Sequence, residues 1–208
     1  MPTNKEHWYD GWFYDRCIAP NQDRLFRQIR ELIERNSRVL DVGCGTGRLA
    51  FALADKCEKI VGLDLSQRNI ERANRSLSRN PNSAISFEHK SVTDIVAQGD
   101  QHFDYAVLTY VVHEVPEHER VELLRNVSRI ANTIILGDYL VPRPPGFWSF
   151  LNEIVEFAAG RDHYDNFKSF VARGGIQGLI RTLPLQLFQE ITNLPQTAHI
   201  VMLQSPKR

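Results

Sequence analysis

Residues 39–54, Val-Leu-Asp-Val-Gly-Cys-Gly-Thr-Gly-Arg-Leu-Ala-Phe-Ala-Leu-Ala, constrain the fold more than any other stretch of this chain. The run from Val39 to Val42 is apolar apart from Asp41 and is short, as expected of a buried parallel strand. Gly43, Gly45 and Gly47 then turn the chain, and Leu49, Ala50, Leu53 and Ala54 recur at helical spacing. Strand, glycine turn and helix is a layout that carries backbone N–H groups and a helix N-terminus towards a ligand. Glycines suit it because a Cβ would block close approach and because such turns often need a positive φ. The stretch therefore predicts a nucleotide-type cofactor site in an α/β sheet.

Two details narrow the ligand. The spacing is G-x-G-x-G, not the G-x-G-x-x-G of dinucleotide binding, and Asp41 stands two residues before the first glycine. A carboxylate there repels a pyrophosphate and suits a ligand carrying an ammonium group. The residues Asp-Val-Gly-Cys-Gly-Thr-Gly, 41–47, resemble the first motif of the class I S-adenosylmethionine (SAM)-dependent methyltransferases. That resemblance implies that the loop wraps the methionine part of SAM, through Asp41, Gly43, Cys44, Gly45 and Gly47. Cys44 is read as a small packing side chain within the loop.

Later segments fall where the resemblance needs them. Lys59-Ile-Val-Gly-Leu-Asp-Leu-Ser66 reads as a second strand ending in an acid, with Ser66 as a helix N-cap. Asp64 lies about twenty residues past the first glycine, the reach for a carboxylate that accepts ribose hydroxyls. NAD-binding folds use the same device, so Asp64 and its neighbour Leu65 indicate a nucleoside without choosing the cofactor. A third strand spans residues 84–88, and the family's adenine-binding acid is replaced by Ser91, followed by Val92. Ser91 can accept one hydrogen bond and the Val92 N–H can donate one, with Asp94 either substituting or capping a short helix. A fourth strand, residues 103–109, ends at Thr109 beside the expected position of the transferable methyl group. The Asn/Asp-Pro-Pro-aromatic sequence of amino- and base-methylating relatives is absent there.

His113-Glu114 invites a metal reading, but the next histidine, His118, is five residues on and Pro116 interrupts the helix. The pattern is not H-E-x-x-H, and no metal is expected from it. A helix over residues 117–129 leads to a fifth strand ending near Asp138, expected at the rim where open α/β sheets bind ligands. Residues 142–173 are an insert rich in aromatic residues, among them Trp148 and Tyr164, with His163 between helical segments. Polar loops do not have this composition. The insert is either a lid over the acceptor, with Asp138, Trp148 and Tyr164 facing the substrate, or a helical pair that only packs. His113 and His163 are the candidate general bases, a histidine pKa near 6.5 suiting the task, or else structural histidines. Residues 185–203 read as a closing hairpin.

The expected fold is a Rossmann-like seven-stranded sheet of order 3-2-1-4-5-7-6, its last hairpin strand antiparallel, flanked by helices, in one domain over residues 1–208. Residues 1–36 are expected to be a helical N-terminal lid or packing segment. Its Trp8, Tyr9, Trp12, Phe13 and Tyr14 are too aromatic for a polar tail, and the resemblance places Tyr9 and Tyr14 near the sulfonium.

The formal net charge is zero, with no basic run, which argues against nucleic acid and anionic membranes. Three cysteines without a CxxC pair read as reduced thiols, and no stretch has the length of a membrane span, so a cytoplasmic monomer or homodimer is expected. The functional reading is methyl transfer from SAM to a small aromatic or apolar molecule, similar to menaquinone- and ubiquinone-type and natural-product methyltransferases. Rivals are a SAM-binding protein without catalysis, an NAD(P)-dependent oxidoreductase, and methylation of protein or RNA.

Overall fold

The computed structural model describes residues 19–99, 101–192 and 197–204. The expectations for Tyr9, Tyr14 and the first part of the N-terminal lid lie outside them. Seven strands form one sheet: β1 (Arg38–Val42), β2 (Lys59–Leu63), β3 (Ile85–Glu88), β4 (Phe103–Thr109), β5 (Ala131–Tyr139), β6 (Gln186–Thr192) and β7 (Ala198–Gln204). Their order is β3-β2-β1-β4-β5-β7-β6, as expected. The first five are parallel, and β7 runs antiparallel to both β5 and β6.

Side-chain alternation along these strands splits the core between two faces. On one face α1 (Ala19–Leu32), α2 (Arg48–Leu53) and α3 (Gln67–Arg79) pack Leu25, Ile29, Leu49, Leu53 and Ile70 on Val39, Ile60 and Val107. On the other, α4 (Val92–Gln98), α5 (Glu117–Ile130) and α7 (Arg161–Ala172) pack Ile95, Leu124, Val127 and Phe167 on Leu40, Val61 and Leu108. The strand order reverses between β1 and β4, which opens a crevice at their carboxyl ends.

The insert forms α6 (Phe147–Ala158) and α7, followed by the short α8 (Gly175–Ile180). Phe167 and Phe170 of α7 are fully buried, whereas Phe147, Phe150, Ile154 and Phe157 leave one side of α6 exposed. Arg120 fixes α7 to α5 by donating to Asn166 O at 2.6 Å and Ser169 Oγ at 2.8 Å. Strand β6 does not bury alternate residues as its sequence suggests. It is the sheet edge, it carries a bulge between Leu187 and Gln189, and Leu187 and Phe188 are exposed.

Candidate active site

A cavity of about 710 Å³ opens at the carboxyl ends of β1, β2 and β4, a volume suited to a cofactor with a small ligand. Of the residues singled out in the sequence, Gly43, Gly45, Asp64, Leu65, Ser91, Val92 and Thr109 line it. Its acidic lining residues, Asp64, Glu114, Glu119 and Glu122, outnumber the basic Arg72 and Lys90. That balance favours a cationic ligand over a pyrophosphate.

The glycine loop works differently from the expectation that its N–H groups face the ligand. Gly43 and Cys44 donate to Leu63 O at 2.7 and 2.9 Å, Gly47 donates to Cys44 O at 2.9 Å, and Gly45 donates to Asp64 Oδ2 at 2.8 Å. Helix α2, only six residues long, adds little dipole. The amides instead shape the turn. Gly43, Gly45 and Gly47 all have positive φ, at 71°, 54° and 83°. A Cβ on Gly47 would stand 2.4 Å from the Phe87 ring, while one on Gly45 would have nothing within 4 Å. Gly45 therefore leaves open space at the wall, a cradle that a side chain would fill.

Asp41 and Cys44 lie behind this wall. Asp41 is 1% exposed, and neither of its carboxylate oxygens has a hydrogen-bond partner. Burial, reinforced by the Asp64 charge, pushes its pKa up to about 7. Burial also pushes the Cys44 thiol upward, which agrees with packing and not with a nucleophile. Asp64 holds two strand ends together, its Oδ1 accepting from Ser66 N–H at 2.7 Å while Oδ2 serves Gly45. Ser66 caps α3 as expected, accepting from Asn69 N–H. Ser91 caps α4 in a reciprocal box: its hydroxyl donates to Asp94 Oδ2 at 2.7 Å and accepts from Asp94 N–H at 3.2 Å. Asp94 is thus the helix-capping acid.

The expected position of Asp138 at the rim is corrected: it is 1% exposed, because β5 is covered on both faces and β7 lies beside it. Its Oδ1 lies 2.7 Å from His113 Nδ1, and its Oδ2 accepts from His113 N–H at 3.2 Å. His113 and His163 are both buried, with Glu156 Oε2 at 3.5 Å from the Nε2 of the first and 2.5 Å from that of the second. Tyr139 Oη donates to Glu156 Oε1 at 2.6 Å. Burial raises the Glu156 pKa, but the two imidazoles outweigh it and hold the carboxyl well below its ordinary range. Burial lowers His113, yet Asp138 and Glu156 raise it well above 6.5 on balance.

Among the described residues, none of the cavity lining comes from the insert. Trp148 is 47% exposed on α6. Tyr164 donates to Glu153 Oε1 at 2.9 Å. The structure thus joins His113, His163 and Asp138 in one buried network and leaves Trp148 and Tyr164 apart from the cavity.

Sequence reasoning missed Tyr110, Glu114 and Glu156. Tyr110 lines the cavity with φ 55°, a left-handed conformation unusual for a tyrosine and invisible in residue spacing. Glu114 was visible only as the neighbour of His113. Glu156 carried no signal, since its partners come from distant segments.

The sheet order and its flanking helices match the Rossmann-like fold of the class I SAM-dependent methyltransferases. Residues 39–133 match the family described as "Methyltransferase domain". The chain is similar to the O-antigen chain terminator bifunctional methyltransferase/kinase WbdD of Escherichia coli, 30% identical over 63% of this chain and 18% of that protein. The chain thus spans less than a fifth of that relative's length. Among solved structures it is similar to magnesium protoporphyrin IX methyltransferase of Synechocystis, solved with bound S-adenosylhomocysteine (SAH), at TM-score 0.65, 16% identity and coverage of 96% and 90%. The [4+2]-cyclase SpnF is similar at TM-score 0.64 and 15% identity, covering 99% of this chain and 89% of that one. Likenesses of this order show the shared fold.

Proposed function

We propose that this chain transfers a methyl group from SAM to a small acceptor with an aromatic or apolar body. The observation that carries this reading is Asp41, a buried carboxylate with both oxygens unpartnered behind a glycine wall that leaves space for a ligand. An isolated buried anion is costly, and a ligand cation next to it offsets that cost. SAM, when bound, supplies a methyl carbon activated by a positively charged sulfur.

The chain's own residues hold and align the reactants. Gly43, Gly45 and Gly47 shape the wall for the methionine part, with Asp41 and Cys44 packed behind it. Asp64 accepts the ribose hydroxyls beside Leu65. The Val92 N–H and Ser91 meet the adenine, and Thr109 flanks the reactive end. Tyr9 and Tyr14 complete the cofactor side. Apolar lining by Tyr110, Val111, Val115 and Leu123 supports an acceptor with a hydrophobic body. Alignment of two reactants is worth on the order of 7–11 kcal/mol. An acceptor that starts protonated also needs a base; His113 meets the cavity wall at Tyr110, ring centroids 6.4 Å apart, and His163 meets it at Glu114, Nε2 to Oε1 3.9 Å. They act as positioning residues for that wall, with Asp138 orienting His113, while Trp148 and Tyr164 act from the insert as an outer lid.

The acidic lining and zero net charge support a small-molecule acceptor over nucleic acid. No helix among the described residues is long and apolar enough to cross a membrane. We place the protein in the cytoplasm as a monomer or homodimer. Calorimetric titration with SAM, SAH and NADH tests the reading. Micromolar binding of the first two and none of NADH is expected, followed by methyl transfer to phenols, quinones or amines. NADH binding alone would return the site to an oxidoreductase, and SAH binding with no transfer to any acceptor would leave a binding protein on the same fold.

A further inference from the structure

We propose that His113, His163, Glu156 and Glu114 form a binding site for one divalent first-row transition-metal ion, joining the segment after β4 to helices α6 and α7. One ligand atom from each of His113, Glu114 and His163 lies within 4.8 Å of the others. Glu156 Oε2 pairs with both imidazoles, 3.5 Å from His113 Nε2 and 2.5 Å from His163 Nε2, and becomes a fourth donor once an ion displaces the shared protons and parts it from His163. Two imidazoles and two carboxylates are a donor set for zinc, iron or manganese, and their charge of −2 with neutral imidazoles matches a dication.

Three observations separate this cluster from an ordinary buried ion pair. First, both imidazole Nε2 atoms converge on one carboxylate oxygen, Glu156 Oε2, while Glu114 Oε1 stands 3.9 Å from His163 Nε2. Second, His113 turns Nδ1 to Asp138 Oδ1 at 2.7 Å. A carboxylate only accepts, so Nδ1 carries a proton, and an ion binds His113 at Nε2 by displacing any proton held there. This is the carboxylate–histidine–metal relay. Third, each donor is held by contacts of its own. Tyr139 Oη fixes Glu156 at 2.6 Å. Asn166 Nδ2 reaches Glu114 O at 2.8 Å, and Arg120 grips the same turn of α7. Such independent support is what preorganises a metal site. Glu114 also lies on the cavity wall, which gives the buried donors a route to solvent.

The test uses the full, tag-free chain, dialysed against EDTA and saturated with SAH. It is titrated with Zn²⁺ by calorimetry and with Co²⁺ by visible absorption. One equivalent of Zn²⁺ at micromolar affinity or tighter is expected, with Co²⁺ giving the d–d bands of a nitrogen-containing site. His163→Ala and Glu156→Gln should each weaken Zn²⁺ binding by at least about tenfold, and Asp138→Asn by about 10–100-fold through His113. Absence of Zn²⁺ and Co²⁺ binding by the unsubstituted chain, which needs no variant to fold, overturns the proposal. So does undiminished binding in folded His163→Ala and Glu156→Gln. SAH affinity is read separately, so a failed metal site leaves the methyl-transfer reading standing, and failed SAH binding leaves a measured metal site.

Discussion

Asp41 and Glu156 are both carboxylates buried from water, yet the molecule treats them in opposite ways. Asp41 has Asp64 as its charged neighbour and no hydrogen-bond donor, and burial lifts its pKa to about 7. Glu156 is flanked by two imidazoles and the Tyr139 hydroxyl, which hold it ionised despite burial. The first is left uncompensated by the chain, at the site where a cation from outside is expected. The second is compensated within the chain and ties the insert to the sheet. An uncompensated buried charge points to a ligand, whereas a compensated one points first to architecture.

The contrast can be broken most sharply at Glu156. Glu156→Ala leaves two imidazoles and Tyr139 without their acceptor, and stability should fall by about 3–5 kcal/mol in denaturant titrations. A loss under 1 kcal/mol would make the insert independent of this network. Next comes Gly47→Ala, which combines a left-handed backbone with a Cβ pressed against Phe87. It should cost about 2–3 kcal/mol of stability and abolish measurable SAH binding.

Asp64→Ala removes the brace on Gly45 and the proposed ribose acceptor, so SAH affinity should drop by roughly ten- to a hundredfold. His163→Ala should leave that affinity unchanged, and equal losses in both variants would erase the distinction between the two regions.

The pH dependence of Asp41 is a finer probe. Its folded pKa of about 7 exceeds the ordinary 3.8, so between roughly pH 4 and 7 the native state holds a proton that the unfolded chain has lost. Its contribution to stability therefore falls as pH rises through that window and levels off above it. If only the ionised form pairs with the ammonium group of the ligand, SAH affinity should rise roughly tenfold from pH 6 to pH 8. Asp41→Asn should flatten that profile, and a flat profile in the unsubstituted chain would refute the assignment. The smallest effect belongs to the exposed side of α6, where Phe147→Ser should change stability by less than about 0.5 kcal/mol.

Much of the site was legible wherever function depends on residues close in sequence. The glycine turn, Asp64, the Ser66 cap and the sheet order follow from local periodicity, glycine placement and the topology that the resemblance implies. Local spacing also set the limits. It placed Asp138 at the rim because strand ends usually point there, and could not show that β7 and His113 cover it. It rejected a metal at His113 by testing H-E-x-x-H, because His118 was the neighbouring histidine in the chain. The histidine that meets His113 in space is His163, fifty positions further on, delivered by α7.

The sequence by itself determined the strand-turn-helix at residues 39–54, the acid after the second strand and the α/β class, since each rests on side-chain period and backbone permission within a few residues. Only tertiary structure decided that the loop amides are used internally, that Asp41 is unpartnered, and that His113, His163, Glu156 and Asp138 meet. Burial and charge pairing are properties of surfaces brought together from distant segments, and no spacing along the chain encodes them.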